Sequence, residues 1–116
     1  MIKVVAALKR KPGLTLEEFS AYYFERHAPL FRRALPAEVA AGIKHYVQNH
    51  AIPLGSGASE PPYDCVTEMG FDDLAAMERW ASWYSSPAGK VLRDDEENFM
   101  DRDKRVVVVT EERVPA

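Results

Sequence analysis

Both ends of this 116-residue chain carry strand patterns that are apolar on two faces rather than on one. Ile2–Leu8 is apolar at every position except Lys3, and Arg105–Val109 contains four consecutive valines. A strand whose sheet faces water on one side alternates apolar and polar residues, because successive side chains point to opposite faces. The sequence therefore predicts a sheet that is covered on both faces.

The first helix is predicted from a capping box that follows a Pro-Gly turn. Thr15 caps the helix, and the Glu18 side chain reaches back to the amide of the cap. Pro29 disfavours helical geometry at the residue before it, so we expect the helix to break or kink just after His27. The helix carries an amphipathic stripe of Phe19, Tyr22, Tyr23, Arg26 and Leu30.

Two middle strands and a second helix complete the chain. The strands are predicted over 43–52 and 63–71, with a loop rich in Pro, Gly and Ser over 53–62. Asp72 or Asp73 caps the second helix, and Ser86-Pro87 restarts a helix after it. Residues 94–103 are expected to form an acidic, polar connection. The predicted buried face of the second helix consists of Leu74, Met77, Ala81 and Tyr84.

The resulting order, β-α-β-β-α-β, is that of a ferredoxin-like α+β domain. It predicts a single domain over residues 1–116, with a four-stranded sheet and two helices on one face. The helices leave the other face of the sheet uncovered, although the terminal strands are apolar on that side too. A second copy of the same sheet is the simplest cover, so we expect a homodimer.

Composition and charge exclude several classes of function. The net charge is -3 and the basic residues are spread along the chain, which gives no footprint for nucleic acid. The first apolar run is too short for a membrane span. A lone cysteine, Cys65, cannot form an internal disulfide and suits a reducing compartment, so we expect a cytoplasmic protein. No metal-ligand spacing or nucleotide-binding motif occurs, and we expect neither a metal nor a cofactor.

His27 is the first candidate for chemistry. It lies one turn after Tyr23, at the edge of the apolar stripe. Its ring could be held by the last carbonyls of the helix, which is a structural role, or act as a general acid or base at the rim of the sheet. A helix break at Pro29 would let the ring turn toward the sheet, with Tyr23 among the walls of a small-molecule site.

The second strand places polar groups where apolar ones are expected. Tyr46, Gln48 and His50 share one face, and His45 lies on the other. Polar groups on a buried face need partners, so these three form either a network at a dimer interface or the lining of a ligand site.

The third strand contributes two carboxylates and the cysteine. Asp64 and Glu68 share a face, and Glu68 either has a buried partner or points into a polar cavity. Cys65 is either a core residue or a nucleophile that would need a neighbouring base.

A series of short segments, taken in order, resembles the EthD-like family and covers almost the whole chain. The segments are Lys9–Leu14 with Glu18-Phe19, His27–Leu30, Tyr46–His50, Tyr63-Asp64 with the strand that ends at Phe71, Ser86–Gly89 and Asp95–Asp101. The resemblance implies a dimeric α+β barrel, in which two ferredoxin-like sheets face each other. It also implies His27 and His50 as catalytic residues, with a site lined by Tyr46, Gln48, Asp64, Glu68, Phe99 and Asp101. The chain departs from the family pattern at Cys65, where glycine is expected.

Three functions follow from these observations. The first is a cofactor-independent isomerase, dehydratase or lyase, or an accessory protein, in the catabolism of a small, largely apolar organic compound, with proton transfer at His27 and His50. The second is a non-catalytic protein that binds such a ligand. The third is a dimer whose polar residues are structural only. Catalysis needs histidines at a solvent-connected cavity, binding needs the cavity alone, and the structural role needs neither.

Overall fold

The computed structural model describes residues 1–54 and 60–116, so part of the loop predicted over 53–62 lies outside the described residues. The strands and helices follow the predicted order, with additional short helical segments. They are β1 (Ile2–Leu8), α1 (Leu16–Tyr22), a π-helical turn (Tyr23–His27), α2 (Ala28–Ala34), α3 (Ala37–Ala40), β2 (Ile43–His50), β3 (Cys65–Phe71), α4 (Leu74–Ser85), a 3₁₀ turn (Pro87–Gly89), α5 (Lys90–Glu96), a second 3₁₀ turn (Arg102–Lys104) and β4 (Val106–Glu111).

The four strands form one antiparallel sheet in the order β2-β3-β1-β4. This order and the helices that connect the strands confirm the predicted α+β class and ferredoxin-like plan. Tyr46, Gln48 and His50 pair with Met69, Thr67 and Cys65. These residues of β3 are buried beneath the helices, so the three polar residues of β2 share the helix-covered face, in agreement with their predicted parity.

Two apolar clusters lie between the sheet and the helices. One contains Phe31, Phe71, Trp80 and Leu92, and the other contains Leu8, Phe19, Tyr23 and Phe99. The first helix begins as predicted, because Thr15 accepts a hydrogen bond from the Glu18 amide and the Glu18 carboxylate accepts one from the Thr15 amide. Asp73 caps α4 in the same way, by accepting from the Ala76 amide.

The helix does not break just after His27, where a break or a kink was predicted, but its winding changes there. Ala28 has helical dihedral angles, and its N–H donates to the Tyr23 carbonyl five residues earlier, so a π-helical turn joins α1 to α2. Proline has no N–H to donate, and the wider turn accommodates it without ending the helix. The turn leaves Tyr23 and His27 both buried on the sheet-facing side.

Three other predictions about the elements need correction. The polar connection predicted over 94–103 begins too early, because α5 extends to Glu96. Leu74 is 53% exposed, since it lies at the first turn of α4 and outside the buried face. The middle strands are shorter than predicted: β2 ends at His50 and β3 begins at Cys65.

The face of the sheet opposite the helices is not covered by any of the residues that the structure describes. It carries half-exposed valines, among them Val66 at 38%, Val106 at 45% and Val108 at 51% exposure. A polar group crosses its middle, where Lys3 bridges Glu68 at 2.9 Å and Glu112 at 2.5 Å. Asn49 donates to the other oxygen of Glu68 at 3.0 Å. Among the helices of the described residues, none is long and apolar enough to cross a membrane.

Candidate functional site

A cavity of about 260 Å³ lies between the sheet and the helices. Its walls are mostly apolar and include Val4, Ala6, Leu8, Phe31, Met69, Met77, Trp80, Leu92, Met100, Val107 and Val109. A dry cavity of roughly 150 Å³ is enough to hold benzene, and pockets for drug-sized ligands begin near 300 Å³. The cavity therefore suits a ligand of one or two small rings.

His27 lines this cavity and is held by a carboxylate behind it. Its Nδ1 lies 2.8 Å from Oδ2 of Asp95, at the end of α5. A carboxylate accepts, so Nδ1 carries the proton and donates it to Asp95. The other oxygen of Asp95 accepts from the Tyr22 hydroxyl at 2.6 Å and from the Asn98 amide at 3.2 Å. Asp95 is thereby fixed on both oxygens and fixes the histidine in turn.

This arrangement leaves Nε2 as the unprotonated nitrogen of the neutral His27 ring. Within the part of the chain that the structure describes, no hydrogen bond to Nε2 is formed, so its lone pair is available in the cavity. The ring is 5% exposed and packs against Phe99, with the ring centroids 4.9 Å apart. Tyr23 packs on it from the other side of the π-helical turn. The tautomer and the ring position of His27 are both set by the fold.

The charge of Asp95 is also set by its surroundings. Partial burial alone would raise the pKa of this carboxyl, but hydrogen bonds from Tyr22, His27 and Asn98 outweigh it and hold the pKa below its ordinary value. Asp95 is therefore ionised at neutral pH. An ionised carboxylate on Nδ1 stabilises the imidazolium that forms when Nε2 takes up a proton.

A second polar chain reaches the cavity along β2. Ser20 Oγ lies 3.1 Å from His50 Nδ1, His50 Nε2 lies 2.8 Å from Gln48 Oε1, and Gln48 Nε2 donates to the Tyr46 hydroxyl at 2.9 Å. The amide oxygen of Gln48 can only accept, so Nε2 of His50 carries the proton and Ser20 donates to Nδ1. Burial lowers the pKa of His50, in keeping with the neutral form that this network requires.

Tyr46 is the last residue of this network, and it lines the cavity. Its oxygen accepts from Gln48, and its hydroxyl also interacts with that of Tyr23. Burial raises the pKa of Tyr46 and raises that of Tyr23 further. Both hydroxyls are therefore protonated at neutral pH, and that of Tyr23 is shared with Thr67 Oγ1 at 2.6 Å.

A third polar group lines the cavity near β4. Glu96 is buried, and both of its oxygens accept from the Tyr84 hydroxyl, at 2.6 and 2.7 Å. Arg105 Nη1 donates to Tyr84 at 3.1 Å and to Glu96 at 3.3 Å. Tyr84, Glu96 and Arg105, hereafter the Arg105 group, are all cavity-lining residues.

The structure divides the predicted site residues into four sets. His27, Tyr23 and Tyr46 line the cavity, and Gln48 and His50 lie in the network behind Tyr46. Phe99 is buried as the packing partner of His27. The other three, Asp64, Glu68 and Asp101, neither line the cavity nor belong to this network.

Those three residues have partners of their own. Asp64 is completely buried and binds the Arg10 amide at 2.7 Å and the Arg10 guanidinium at 3.2 Å, which ties the end of β1 to the start of β3. Glu68 lies on the uncovered sheet face with Lys3. Asp101 caps the second 3₁₀ turn.

Sequence reasoning missed Asp95, Glu96 and Arg105 as site residues. The sequence predicts a polar connection over 94–103. The two carboxylates are in fact helical and follow the buried Leu92 by one turn, a spacing that this prediction does not use. In residues 1–54 and 60–116, no group of three or more His, Cys, Asp or Glu side chains is placed to hold a metal ion.

Comparison with known proteins places this geometry in a family context. The model of the EthD domain matches residues 11–103. An EthD family protein from Bacillus halodurans has a solved structure that aligns with a TM-score of 0.65 and 23% identity, over 97% of this chain and 100% of that one. A dimeric ferredoxin-like protein of unknown function from Thermobifida fusca aligns with a TM-score of 0.58 and 14% identity, over 94% of this chain and 88% of the other.

An antibiotic biosynthesis monooxygenase shares the fold as well, with a TM-score of 0.55 and 18% identity over 99% of this chain and 100% of that one. At these identities the structural matches establish the fold and no more. Comparison with curated proteins found no match.

Proposed function

Because the chain belongs to the EthD domain family, we propose that it is a cofactor-independent enzyme that moves a proton on a small, largely apolar organic molecule, with His27 as the base. The observation that carries the proposal is the Asp95–His27 pair, whose Nε2 stands free in an apolar cavity. Lone histidines at helix ends are ordinary, but one oriented by an ionised carboxylate and presented to a cavity has the arrangement of a general base.

The proposed step needs only groups of this chain. Nε2 of His27 takes a proton from a carbon of the ligand, and Asp95 stabilises the resulting imidazolium through Nδ1. The Tyr46 hydroxyl donates a hydrogen bond to the oxygen on which negative charge develops. Return of the proton from Nε2 to another carbon of the ligand completes an isomerisation. In a dehydration the C–O bond breaks while that proton passes to the departing hydroxyl, which leaves as water, and a lyase step breaks the bond to another leaving group, which takes the proton in the same way.

His50 has a different role in this proposal from the one that the sequence suggested. The sequence analysis paired it with His27 as a second acid or base. We instead assign His50 to positioning, because it reaches the cavity only through Gln48 and Tyr46. In this role it orients the Tyr46 hydroxyl rather than touching the ligand.

The proposal extends to assembly and setting. The protein is proposed to act as a homodimer that buries the uncovered sheet face, and to serve the catabolism of its ligand in the cytoplasm. The exposed valines of that face and the dimeric ferredoxin-like relatives support the first part. The lone cysteine and the family resemblance support the second.

A probe reaction can test the base without the natural substrate. Nitrobenzisoxazole is a small bicyclic molecule that a base opens by removing its ring C–H proton, with cleavage of the N–O bond to give a coloured cyanonitrophenolate. We expect the wild-type protein to accelerate this reaction, and His27→Gln to lower the rate by about 10²- to 10⁴-fold, as typical for loss of a general base. Asp95→Asn should lower the rate as well, because it permits the wrong tautomer.

The matched control is His45→Gln on the other face of β2. His45 lies 3.8 Å from Glu68, away from the cavity, so its loss should leave the probe rate unchanged. Equal rates in wild type, His27→Gln and His45→Gln would contradict the enzyme and favour a non-catalytic binding protein. Such a protein would keep its cavity and bind the probe without opening it.

A further inference from the structure

We propose that Arg105 binds the carboxylate of an organic acid, so that the ligand of this cavity is a small apolar carboxylic acid. This inference rests on the proposed function for the reaction that follows, but the binding itself depends only on the Arg105 group. Three observations carry it: the free edge of the guanidinium, the charge balance around Glu96, and the shape of the cavity.

Within residues 1–54 and 60–116, the guanidinium of Arg105 uses only one of its nitrogens for hydrogen bonds. Nη1 makes the contacts to Tyr84 and Glu96 and lies 4.0 Å from the Met100 sulfur. Among the described residues, Nε and Nη2 have no hydrogen-bond acceptor, and neither atom is fully buried. These two nitrogens form one edge of the planar group, and two parallel N–H bonds from such an edge match the two oxygens of a carboxylate.

The surrounding charges favour an anion. The buried carboxylate of Glu96 lies 3.3 Å from Arg105 and 3.7 Å from Arg102, so one negative charge faces two positive ones. Glu97 also lies near Arg102, at 3.6 Å, but its side chain is 69% exposed and its charge is screened by water. Charges at a partly buried site are costly unless they are balanced, and a bound carboxylate supplies the missing negative charge.

Glu96 and Tyr84 fix the position of the Arg105 guanidinium but use only its Nη1 donors. Tyr84 donates to Glu96, and Arg105 donates to both, so the two oxygen partners of Nη1 lie on α4 and α5. Asp95 and Glu96 are consecutive residues at the end of α5, and one fixes the base while the other fixes the anion site. The base and the anion site are therefore both held by adjacent residues of α5.

The other residues that line the cavity determine which kind of group the carboxylic acid carries. They are aliphatic or aromatic, and the volume of about 260 Å³ leaves room for a body of one or two small rings beside the carboxylate. A phosphate ester of the same length would present a second negative charge, which Glu96 opposes. An apolar monocarboxylate satisfies both the charge and the volume.

The test compares an acid with its neutral isostere. Cinnamate and cinnamamide have nearly the same shape, and titration calorimetry of each into the full chain measures the preference for the charged group. We expect wild-type protein to bind cinnamate at least about tenfold more tightly than cinnamamide, since charge-assisted bidentate bonds are the strong ones. Arg105→Met should remove this preference, and Arg105→Lys should retain only part of it. Arg33→Met, on the exposed side of α2, is the control and should keep the preference.

Arg105→Met could unfold the protein by leaving Glu96 unpaired in the interior. The double variant Arg105→Met/Glu96→Gln removes both charges together, and its fold can be checked by a thermal melt. Equal affinity of wild type for the acid and the amide, or a preference that persists in the folded double variant, would overturn the inference. His27→Gln should leave the preference for cinnamate intact while abolishing the probe reaction, so failure of the anion site and failure of the base are separately visible.

Discussion

At the scale of single residues, two consecutive carboxylates organise the polar side of the cavity. Asp95 holds His27 and is held by Tyr22, whereas Glu96 holds Arg105 and is held by Tyr84. Each carboxylate accepts hydrogen bonds from at least two donors, so neither is an unpaired charge in the interior. Two of the three residues that are proposed to touch a ligand, His27 and Arg105, are thus positioned through α5, whereas Tyr46 is positioned through β2.

Cys65 allows a direct test of the protonation states in this interior. Its thiol is 1% exposed, and burial raises its pKa to about 11. The thiolate is the reactive form, so the native protein should resist alkylation by iodoacetamide at about pH 8, whereas the chain unfolded in urea should react to completion. Mass spectrometry measures both. Stoichiometric labelling of the native protein would show that Cys65 is accessible and activated.

His50 predicts how stability depends on pH. Burial lowers its folded pKa below the unfolded value of about 6.5, so the folded state prefers the neutral ring. Its contribution to stability is present above that unfolded pKa and is lost as the pH falls through the folded pKa. The urea midpoint should therefore fall less between about pH 7.5 and pH 5 in His50→Gln than in wild type. Identical pH dependence in the two proteins would contradict the neutral network, and His45→Gln serves as the control.

The sequence predicted some of these residues because their positions follow from local periodicity. Tyr23 and His27 lie on the apolar side of the first helix, and Tyr46 lies on the helix-covered face of β2, as its parity indicated. The partners of His27 and Arg105 could not be found in this way. Asp95 is 68 residues from His27, and that pairing depends on how α5 packs on the π-helical turn.

At the scale of elements, the sequence predicts correctly those helix and strand ends that depend on local backbone geometry. The capping box at Thr15 and the boundaries of β1 were predicted correctly, and of the two residues predicted to cap the second helix, Asp72 or Asp73, Asp73 is the cap. Pro29 shows the limit of such signals, because packing of Tyr23 and His27 against the sheet holds the helix together across the proline. The preference against helical geometry next to Pro29 does not outweigh the burial of the Tyr23 and His27 rings. The shorter middle strands have the same origin, since pairing and not apolar pattern sets their ends.

The cap of α1 gives a prediction about this element. Thr15→Ala removes the hydroxyl that accepts from the Glu18 amide, and should lower the free energy of unfolding by about 1 kcal/mol. Thr15→Ser keeps the oxygen and should be close to wild type. Urea unfolding at neutral pH measures both variants. Because the cap is remote from the cavity walls, neither variant should change the rate of the probe reaction, and a loss of rate would mean that α1 transmits strain to His27.

At the scale of the whole molecule, the sheet has one covered and one uncovered face. The helices supply the cavity on the first face, and the second carries valines of β2, β3, β1 and β4 around the Lys3–Glu68–Glu112 group. Lys3 contacts both carboxylates and Asn49 donates to Glu68, so each of the three ionised side chains has a partner on this face, although the group keeps one net negative charge. A stable interface of standard size buries about 800 Å² on each partner, which a face of four short strands can provide.

The proposed dimer can be tested by placing a charge on that face. Val66→Asp and Val108→Asp each introduce a carboxylate at the centre of the proposed interface, where burial without a partner is costly, and should convert the dimer to a monomer at micromolar concentration. Sedimentation velocity should report about twice the chain mass for wild type and about one chain mass for the variants. Val91 on α5 is similarly exposed, at 44%, but lies on the helical side, so Val91→Asp is the matched control and should remain dimeric. The helix-covered cavity belongs to one chain, and a folded monomeric variant should therefore still bind cinnamate. A wild-type protein that sediments as a monomer would remove the dimer from the proposal while leaving the cavity and its base in place.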